Sequence, residues 1–215
     1  MLYSELQCSE AIHKAVERMG FAEMTEVQEK TIPVMLAGRD VIAKAPTGTG
    51  KTCAFGIPVA EHIDPALKAP QAVILAPTRE LALQIGESFD AYGKYLKLRS
   101  TVIFGGVGQA PQVEAIRKGV DILIACPGRL NDLIGQGFID LSALEIFVLD
   151  EADRMLDMGF VHDVKKVIAK LPAQRQNLMF SATMPAEIEQ LAAGILRDPA
   201  FVKVDPVSST VDRIQ

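Results

Sequence analysis

A stretch from Ala45 to Thr52 contains the residue types that hold phosphate groups. It follows the apolar run Val41–Ala43, which predicts a short buried strand, and it leads into residues that can start a helix. Glycines let successive backbone N–H groups point at one anion, a lysine neutralises the outer phosphates, and a hydroxyl can ligate Mg²⁺. The order of strand, glycine loop, Lys-Thr and helix predicts a phosphate-binding loop. Its expected nucleotide-binding residues are Thr47, Gly48, Thr49, Gly50, Lys51 and Thr52.

A second stretch supplies the acidic groups that a nucleotide site needs. Ile146–Leu149 is apolar, and Asp150 and Glu151 follow it directly. A carboxylate at the end of a neighbouring strand can hold Mg²⁺, and another can orient and deprotonate an attacking water. We therefore expect Thr52 and Asp150 to hold the metal, and Lys51, Asp150 and Glu151 to act in catalysis.

Each stretch has a purely structural alternative when it is considered alone. Ala45 replaces the first glycine of the pattern G-x-x-x-x-G-K-[ST], so the first stretch can be a glycine-rich turn that only closes a strand. Asp150 and Glu151 can be an acidic pair that opens the next helix. The presence of both stretches in one chain favours the nucleotide site.

The elements that must position these residues alternate along the chain. Helix-like stretches lie between short apolar runs, which predicts a parallel sheet covered by helices on both faces. Ligands of such sheets bind outside the carboxyl ends of the strands. The expected strands are Val41–Ala43, Ala72–Ala76, Thr101–Phe104, Ile122–Cys126, Ile146–Leu149, Leu178–Phe180 and Phe201–Val204. The expected helices are Glu10–Met19, Thr25–Ala37, Thr52–Ile63, Glu80–Leu96, Pro111–Lys118, Arg129–Gly135, Val161–Leu171 and Pro185–Leu196.

Composition limits the class of protein further. The chain has 215 residues, of which 49% are hydrophobic, so it suits one large α/β domain and is not disordered. No apolar run reaches the roughly 18 residues of a membrane span, and no membrane association is expected. The net charge of −5 means that any nucleic-acid surface must be local. Three cysteines without pairing or metal spacing indicate reduced thiols and a cytoplasmic location.

The full acidic stretch Asp150-Glu151-Ala152-Asp153 resembles the signature of the DEAD-box RNA helicases. Other segments are similar to motifs of this family, in the same order and over nearly the whole chain. They are Gly20–Gln28 (Q motif), Pro77–Ala82 (motif Ia), Gly105-Gly106 (glycine doublet), Pro127–Arg129 (motif Ib) and Ser181–Thr183 (motif III).

The resemblance implies the architecture of a three-layer RecA-like P-loop NTPase domain. That domain is expected to cover residues 1–206, and residues 207–215 are expected to begin the connection to a second RecA-like domain, which this chain lacks. ATP and Mg²⁺ are the implied cofactors. Gln28 is expected to recognise the adenine edge with its amide, while Phe21 stacks on the ring.

The resemblance also implies a surface for a single RNA strand and a coupling device. The expected RNA residues lie just after predicted strands, where they would hold backbone phosphates without reading bases. They are Thr78, Arg79, Gly105, Gly106, Gly128 and Arg129. The structural alternatives are a helix cap for Thr78 and ordinary surface charges for the two arginines.

Three further residues are expected to link the ATP state to the domain arrangement. Ser181 and Thr183 would hydrogen-bond the acidic motif, and Asp153 would be the positioning residue that pairs with them. The alternative is that Ser181 and Thr183 only cap the helix that begins near Pro185.

The implied activity is ATP-dependent unwinding or remodelling of RNA. We expect this chain to bind ATP with Mg²⁺ but to be nearly inactive alone, because the family's arginine fingers are carried by the second domain. One alternative is a P-loop kinase or a GTPase, although the guanine motif Asn-Lys-x-Asp is absent from the sequence. Another is a non-processive, ATP-gated RNA clamp or assembly platform.

Overall fold

The computed structural model describes residues 1–46 and 51–205. Its centre is a sheet of seven parallel strands with the spatial order β3-β4-β2-β5-β6-β1-β7. The strands are β1 (Val41–Lys44), β2 (Ala72–Leu75), β3 (Ser100–Ile103), β4 (Ile122–Ala125), β5 (Ile146–Leu149), β6 (Gln176–Ser181) and β7 (Ala200–Lys203).

Nine α-helices lie within the described residues, together with a 3-10 helix at Tyr3–Glu5. Three of them begin at a side chain that caps the helix: Ser9 accepts from Ile12 N–H, Thr25 from Gln28 N–H and Thr78 from Leu81 N–H. The helices are α1 (Glu10–Arg18), α2 (Glu26–Leu36), α3 (Lys51–His62), α4 (Arg79–Gly93), α5 (Ala110–Arg117), α6 (Pro127–Gly135), α7 (Ala152–Asp157), α8 (Val161–Ile168) and α9 (Ala186–Ile195).

The sheet is buried on both faces, and its strands contribute to two separate cores. Along β2, Ala72 and Ile74 pack into one core while Val73 and Leu75 pack into the other, because successive side chains of a strand point to opposite faces. Helices α1–α4 complete the first core, and α5–α9 complete the second. The predicted three-layer α/β architecture is confirmed.

Close packing of helix against sheet is visible at Gly86 in α4. A Cβ atom placed there would lie 2.5 Å from Cγ2 of Val102, the side chain of an edge strand. No real Cβ contact is that short, so α4 approaches β3 as closely as it does only because residue 86 lacks a side chain.

The predicted strands and eight predicted helices are present, with ends that differ by no more than three residues. The short helix α7 was not predicted as an element; it begins directly after Glu151. The predicted phosphate loop at residues 47–50, the domain boundary at 206 and the connection at 207–215 lie outside the described residues. Over residues 1–46 and 51–205, no helix has both the length and the apolarity to cross a membrane.

Candidate functional site

The sheet order sorts the chemically active residues into two groups along one edge. The strands β5, β6 and β1 are neighbours, and their carboxyl ends lead to Asp150, Ser181 and Ala45. The strands β3, β4 and β2 form the other half of the sheet, and they are followed by Gly105, Gly128 and Thr78. The expected nucleotide residues and the expected RNA residues therefore share an edge but occupy different halves of it.

Lys51 lies near the end of the predicted phosphate loop, and its side chain reaches back to the first residue of that loop. It is the first residue of α3, is 7% exposed, and donates from Nζ to the carbonyl oxygen of Ala45 over 3.1 Å. Ala45 is fixed in turn, because its N–H donates to the carbonyl of Ser181 over 3.0 Å. Thr52 lies in the first turn of α3 and is half-buried. An ammonium buried at this place is prepared for an anionic ligand.

Asp150 is a buried acid beside that lysine. It is 2% exposed, and burial raises the pKa of its carboxyl group to about 6, with Lys51 opposing and Glu151 reinforcing the rise. Its Oδ1 accepts the N–H of Glu151 over 2.9 Å. The folded protein therefore disfavours the charged form of Asp150, which additional positive charge nearby would stabilise.

Glu151 carries two signs of a constrained functional residue. Its backbone is left-handed, with φ 49° and ψ 52°, a conformation that costs a residue other than glycine about 1 kcal/mol or more. Its Oε2 is buried and has no hydrogen-bond partner among the described residues, although the guanidinium of Arg154 lies 3.7 Å away. A strained backbone that presents an unsatisfied carboxylate oxygen suits a group that acts on a ligand.

We predict that Asp150→Asn stabilises the ligand-free domain. Because burial raises the pKa of Asp150 above its usual 3.8, ionisation costs stability as the pH rises through about 4 to 6, and the full cost persists above pH 6. Asn avoids that cost, so urea unfolding at pH 7.5 should show a gain of about 1–3 kcal/mol. The gain should shrink below pH 5; a loss of stability at pH 7.5 would contradict the prediction.

Asp153, Ser181 and Thr183 form one hydrogen-bonded group. Ser181 Oγ accepts the N–H of Asp153 over 3.1 Å and donates to the carbonyl of Thr183 over 2.6 Å. Thr183 donates to Oδ2 of Asp153 from its N–H and its hydroxyl, over 3.1 and 2.9 Å. Burial works to raise the pKa of Asp153, but the hydrogen bonds from Thr183 and Ser181 hold it below its ordinary value. The expected contacts of Ser181 and Thr183 with the acidic motif are confirmed; neither residue caps α9, whose N-cap is Pro185.

Gln28 and Phe21 lie in a small polar and aromatic cluster near the N-terminus. Gln28 is 5% exposed, and its Oε1 accepts from the N–H of Thr25 over 3.0 Å and from the hydroxyl of Tyr3. The rings of Tyr3 and Phe21 are 5.8 Å apart, and Phe21 is 38% exposed beside a surface cavity of about 460 Å³. The amide of Gln28 is thus held in one orientation by the protein itself. The Tyr3 hydroxyl contact is not readable from sequence spacing.

The six expected RNA residues are together at the other half of the edge, and three of them also have structural tasks. Thr78 caps α4, which is the structural alternative to an RNA contact. Arg79 lies over the ring of Phe104, with its guanidinium carbon 4.6 Å from the ring centroid. Arg129 is half-buried and donates to protein acceptors. The glycines at 105, 106 and 128 are exposed, and Gly106 has a φ of +78° that only glycine adopts readily.

The donor set at Lys51, Thr52, Asp150 and Glu151 fits a magnesium nucleotide. Within residues 1–46 and 51–205, no three His, Cys, Asp or Glu side chains converge as ligands for a metal. Mg²⁺ usually keeps several waters and takes one or two protein oxygens together with phosphate oxygens, and Thr52 and Asp150 would be those protein ligands. The Oε2 atom of Glu151 is buried and has no hydrogen-bond partner within the described residues, with Arg154 3.7 Å away, and this observation favours a polar ligand at this place.

Comparison with known sequences identifies relatives over nearly the whole chain. Residues 25–191 match the family described as DEAD/DEAH box helicase. The DEAD-box ATP-dependent RNA helicase CshA of Geobacillus kaustophilus is 44% identical, over 99% of this chain and 46% of that protein. CshA of Bacillus subtilis is 42% identical, over 99% of this chain and 43% of that protein. The chain spans less than half the length of these relatives.

Two solved structures match the fold over more than nine-tenths of this chain. A DEAD box protein from the hyperthermophile Methanococcus jannaschii superposes with a TM-score of 0.91 at 38% identity, over 95% of this chain and 56% of that chain. A hypothetical ATP-dependent RNA helicase from Sulfolobus tokodaii gives a TM-score of 0.83 at 38% identity, over 91% of this chain and 57% of that chain. Both matches support the RecA-like architecture that the sequence predicts.

Proposed function

The chain belongs to the DEAD/DEAH box helicase family, and from that premise we propose that it is the ATP-binding first RecA-like domain of an ATP-dependent RNA helicase. The observation that carries the proposal is the pair of buried residues Lys51 and Asp150 beside the half-buried Glu151, whose backbone is strained and whose Oε2 has no hydrogen-bond partner within the described residues. RNA remodelling driven by ATP hydrolysis is the activity of the whole protein.

The nucleotide half of the edge divides its tasks among a few residues. Lys51 holds the outer phosphates, Thr52 and Asp150 supply oxygen ligands, and Glu151 orients the attacking water and accepts its proton. Mg²⁺, when bound, supplies charge neutralisation at the phosphate oxygens. The loop residues Thr47, Gly48, Thr49 and Gly50, which we assign to phosphate binding, lie outside the described residues.

The adenine base is recognised by Gln28 and Phe21. Phe21 has an exposed ring suited to stacking, and Gln28 presents an amide held by Thr25 and Tyr3. An amide that is already held in one orientation loses little entropy when it binds a base. We infer selectivity for adenine over guanine from that fixed orientation.

The RNA half of the edge binds one strand through its phosphates. Backbone N–H groups at Gly105, Gly106 and Gly128, the Thr78 hydroxyl and the guanidiniums of Arg79 and Arg129 supply the donors. Such contacts carry no base information, so binding is independent of sequence and weakens with salt. The acidic net charge of the chain is compatible with this, since the basic and N–H groups are local.

Coupling and turnover require more than this chain. Asp153, Ser181 and Thr183 connect the start of α7 to the end of β6, and we propose that they transmit the nucleotide state to a second RecA-like domain. That domain supplies the arginine finger, whose absence lowers turnover by about 10³–10⁵. The cysteine pattern supports a cytoplasmic location.

The nucleotide site is tested by calorimetry on the 215-residue chain. Gln28→Ala should weaken ATP binding in the presence of Mg²⁺ by about tenfold, the effect of one or two lost hydrogen bonds, and change GTP binding much less. Gln84→Ala, an exposed glutamine on α4, is the matched control and should change neither affinity.

Three results would contradict the proposal. Tighter binding of GTP than ATP would favour the GTPase alternative. Equal losses of ATP and GTP affinity would mean that Gln28 acts only through loop positioning. RNA-stimulated hydrolysis by the isolated chain at the rate of a complete enzyme would show that no second domain is needed.

A further inference from the structure

The loop formed by residues 104–109 carries the glycine doublet and is held by side chains from three helices. It connects the end of β3 to the start of α5, and its residues 105–108 are exposed. Gly105 and Gly106 themselves have no Cβ through which to pack. A loop that must offer its N–H groups to phosphates therefore needs its shape set by residues outside it.

Gln112 contacts this loop from the first helical turn of α5. It is 8% exposed, and its Nε2 donates to the carbonyl of Phe104 over 3.0 Å. Its Oε1 accepts from Nη1 of Arg129 over 3.3 Å. The two ends of one buried amide are thus matched to an acceptor and a donor, which fixes the orientation of the amide.

Arg129 completes the connection by reaching past Gln112 to the loop. Its Nη2 donates to the carbonyl of Val107 over 2.7 Å, so Gln112 and Arg129 together hold the carbonyls on both sides of the glycine doublet. A guanidinium has more N–H donors than these two bonds use, so the same side chain can brace the loop and approach a phosphate.

Two further contacts hold the ends of the loop. The amides of Gln109 and Gln136 form a reciprocal pair, with Nε2–Oε1 distances of 2.9 and 3.1 Å. At the other end, the guanidinium of Arg79 covers the ring of Phe104. These contacts restrain where the loop begins and ends, whereas Gln112 and Arg129 set the path of the glycines between.

We propose that Gln112 is a positioning residue for RNA binding, which sets the 104–109 loop and the guanidinium of Arg129 in one arrangement before RNA arrives. The inference rests on the proposed RNA role of this half of the edge. It adds a residue that contacts no RNA yet determines how well the contacting groups are placed. Preordering matters because each loop residue ordered on binding would otherwise cost about 1–2 kcal/mol.

Only an amide satisfies both partners of Gln112. Leu of similar size removes the donor to Phe104 and the acceptor for Arg129 together. Glu keeps the acceptor but turns a carboxylate oxygen toward the Phe104 carbonyl and neutralises Arg129. Both substitutions should therefore loosen the loop, and Glu should weaken RNA binding at least as much as Leu.

The test measures loop order and ligand affinity separately on the 215-residue chain. Backbone order parameters at Gly105, Gly106 and Gly108 should fall from about 0.85 to below about 0.6 in Gln112→Leu. Affinity for a short fluorescent oligouridylate should fall about fivefold to tenfold in the same variant. Affinity for ATP with Mg²⁺ should stay unchanged. Gln190→Leu, an exposed glutamine on α9, is the matched control.

The outcomes distinguish this inference from the proposed function. A loosened loop with unchanged RNA affinity, or an unchanged loop, would overturn the positioning role while leaving the helicase assignment intact. Failure of the unsubstituted chain to bind the oligouridylate at all would contradict the RNA surface itself, and the inference with it. If Gln112→Leu does not fold, Gln112→Glu decides by the same two measurements, because it preserves the side-chain volume.

Discussion

Replacing Glu151 by Gln is expected to reduce the kcat for ATP hydrolysis about 10²–10⁴-fold in a protein that joins this chain to the second RecA-like domain we propose. The amide keeps the size of the side chain but cannot accept a proton from water. Because the role we propose for Glu151 is to act on the attacking water and not on the phosphates, affinity for ATP should change by less than about threefold. Single-turnover hydrolysis and nucleotide titration measure the two quantities separately.

The control for this substitution is Glu187→Gln, an exposed glutamate in the first turn of α9. It removes the same charge from an exposed side chain to which we assign no role, and it should leave kcat unchanged. If Glu151→Gln retained more than about a tenth of the turnover, Glu151 would not be the proton acceptor. Its left-handed backbone would then need another explanation.

Replacing Asp40 by Ala is expected to lower the free energy of unfolding of the chain by about 3–5 kcal/mol. The carboxylate is 7% exposed and accepts three hydrogen bonds: from the N–H of Asn177 over 2.8 Å, from Nδ2 of Asn177 over 3.0 Å and from the N–H of Arg197 over 2.8 Å. Alanine removes the acceptor of all three donors, and the N–H of the buried Asn177 loses its partner. The loss is a large part of the stability of an ordinary domain.

Urea unfolding at pH 7.5 measures this loss against Asp157→Ala, an exposed aspartate at the end of α7 that should change stability by no more than about 0.5 kcal/mol. Asp40→Asn should give an intermediate loss, since one acceptor oxygen remains. A loss below about 1 kcal/mol for Asp40→Ala would show that water replaces the carboxylate. The amino ends of β1 and β6 would then not depend on it.

The strands were predictable from the sequence because a parallel sheet buried on both faces demands continuous apolar runs. Val73 and Leu75 face one core while Ala72 and Ile74 face the other, so no polar residue interrupts the run. The spatial order of the strands was not predictable from that pattern, since only β3–β4 and β5–β6 are neighbours both along the chain and in the sheet. The helix α7 was not predictable, because its six residues are too few to show a helical period.

Site residues could be predicted where the residue types of a motif serve few other purposes. They could not be predicted where their role depends on the three-dimensional arrangement. A lysine and threonine after a glycine loop, and paired acids after a strand, have a specific chemistry. The left-handed backbone of Glu151 and the hydrogen bond between Gln112 and Arg129 arise only in the folded structure. Asp40 gave no signal either, because a single aspartate before a strand resembles any turn residue.

Among the described residues, the expected metal and RNA contacts lie along one edge of the sheet, so the opposite edge is open to change. The connection at residues 64–68, which precedes β2 at that opposite edge, is exposed throughout. Loops of this kind tolerate added chain at small entropic cost, since doubling the length of a loop costs about 0.6 kcal/mol. The fold can therefore acquire new attachments there, such as an appended module or a label, without rebuilding either half of the working edge.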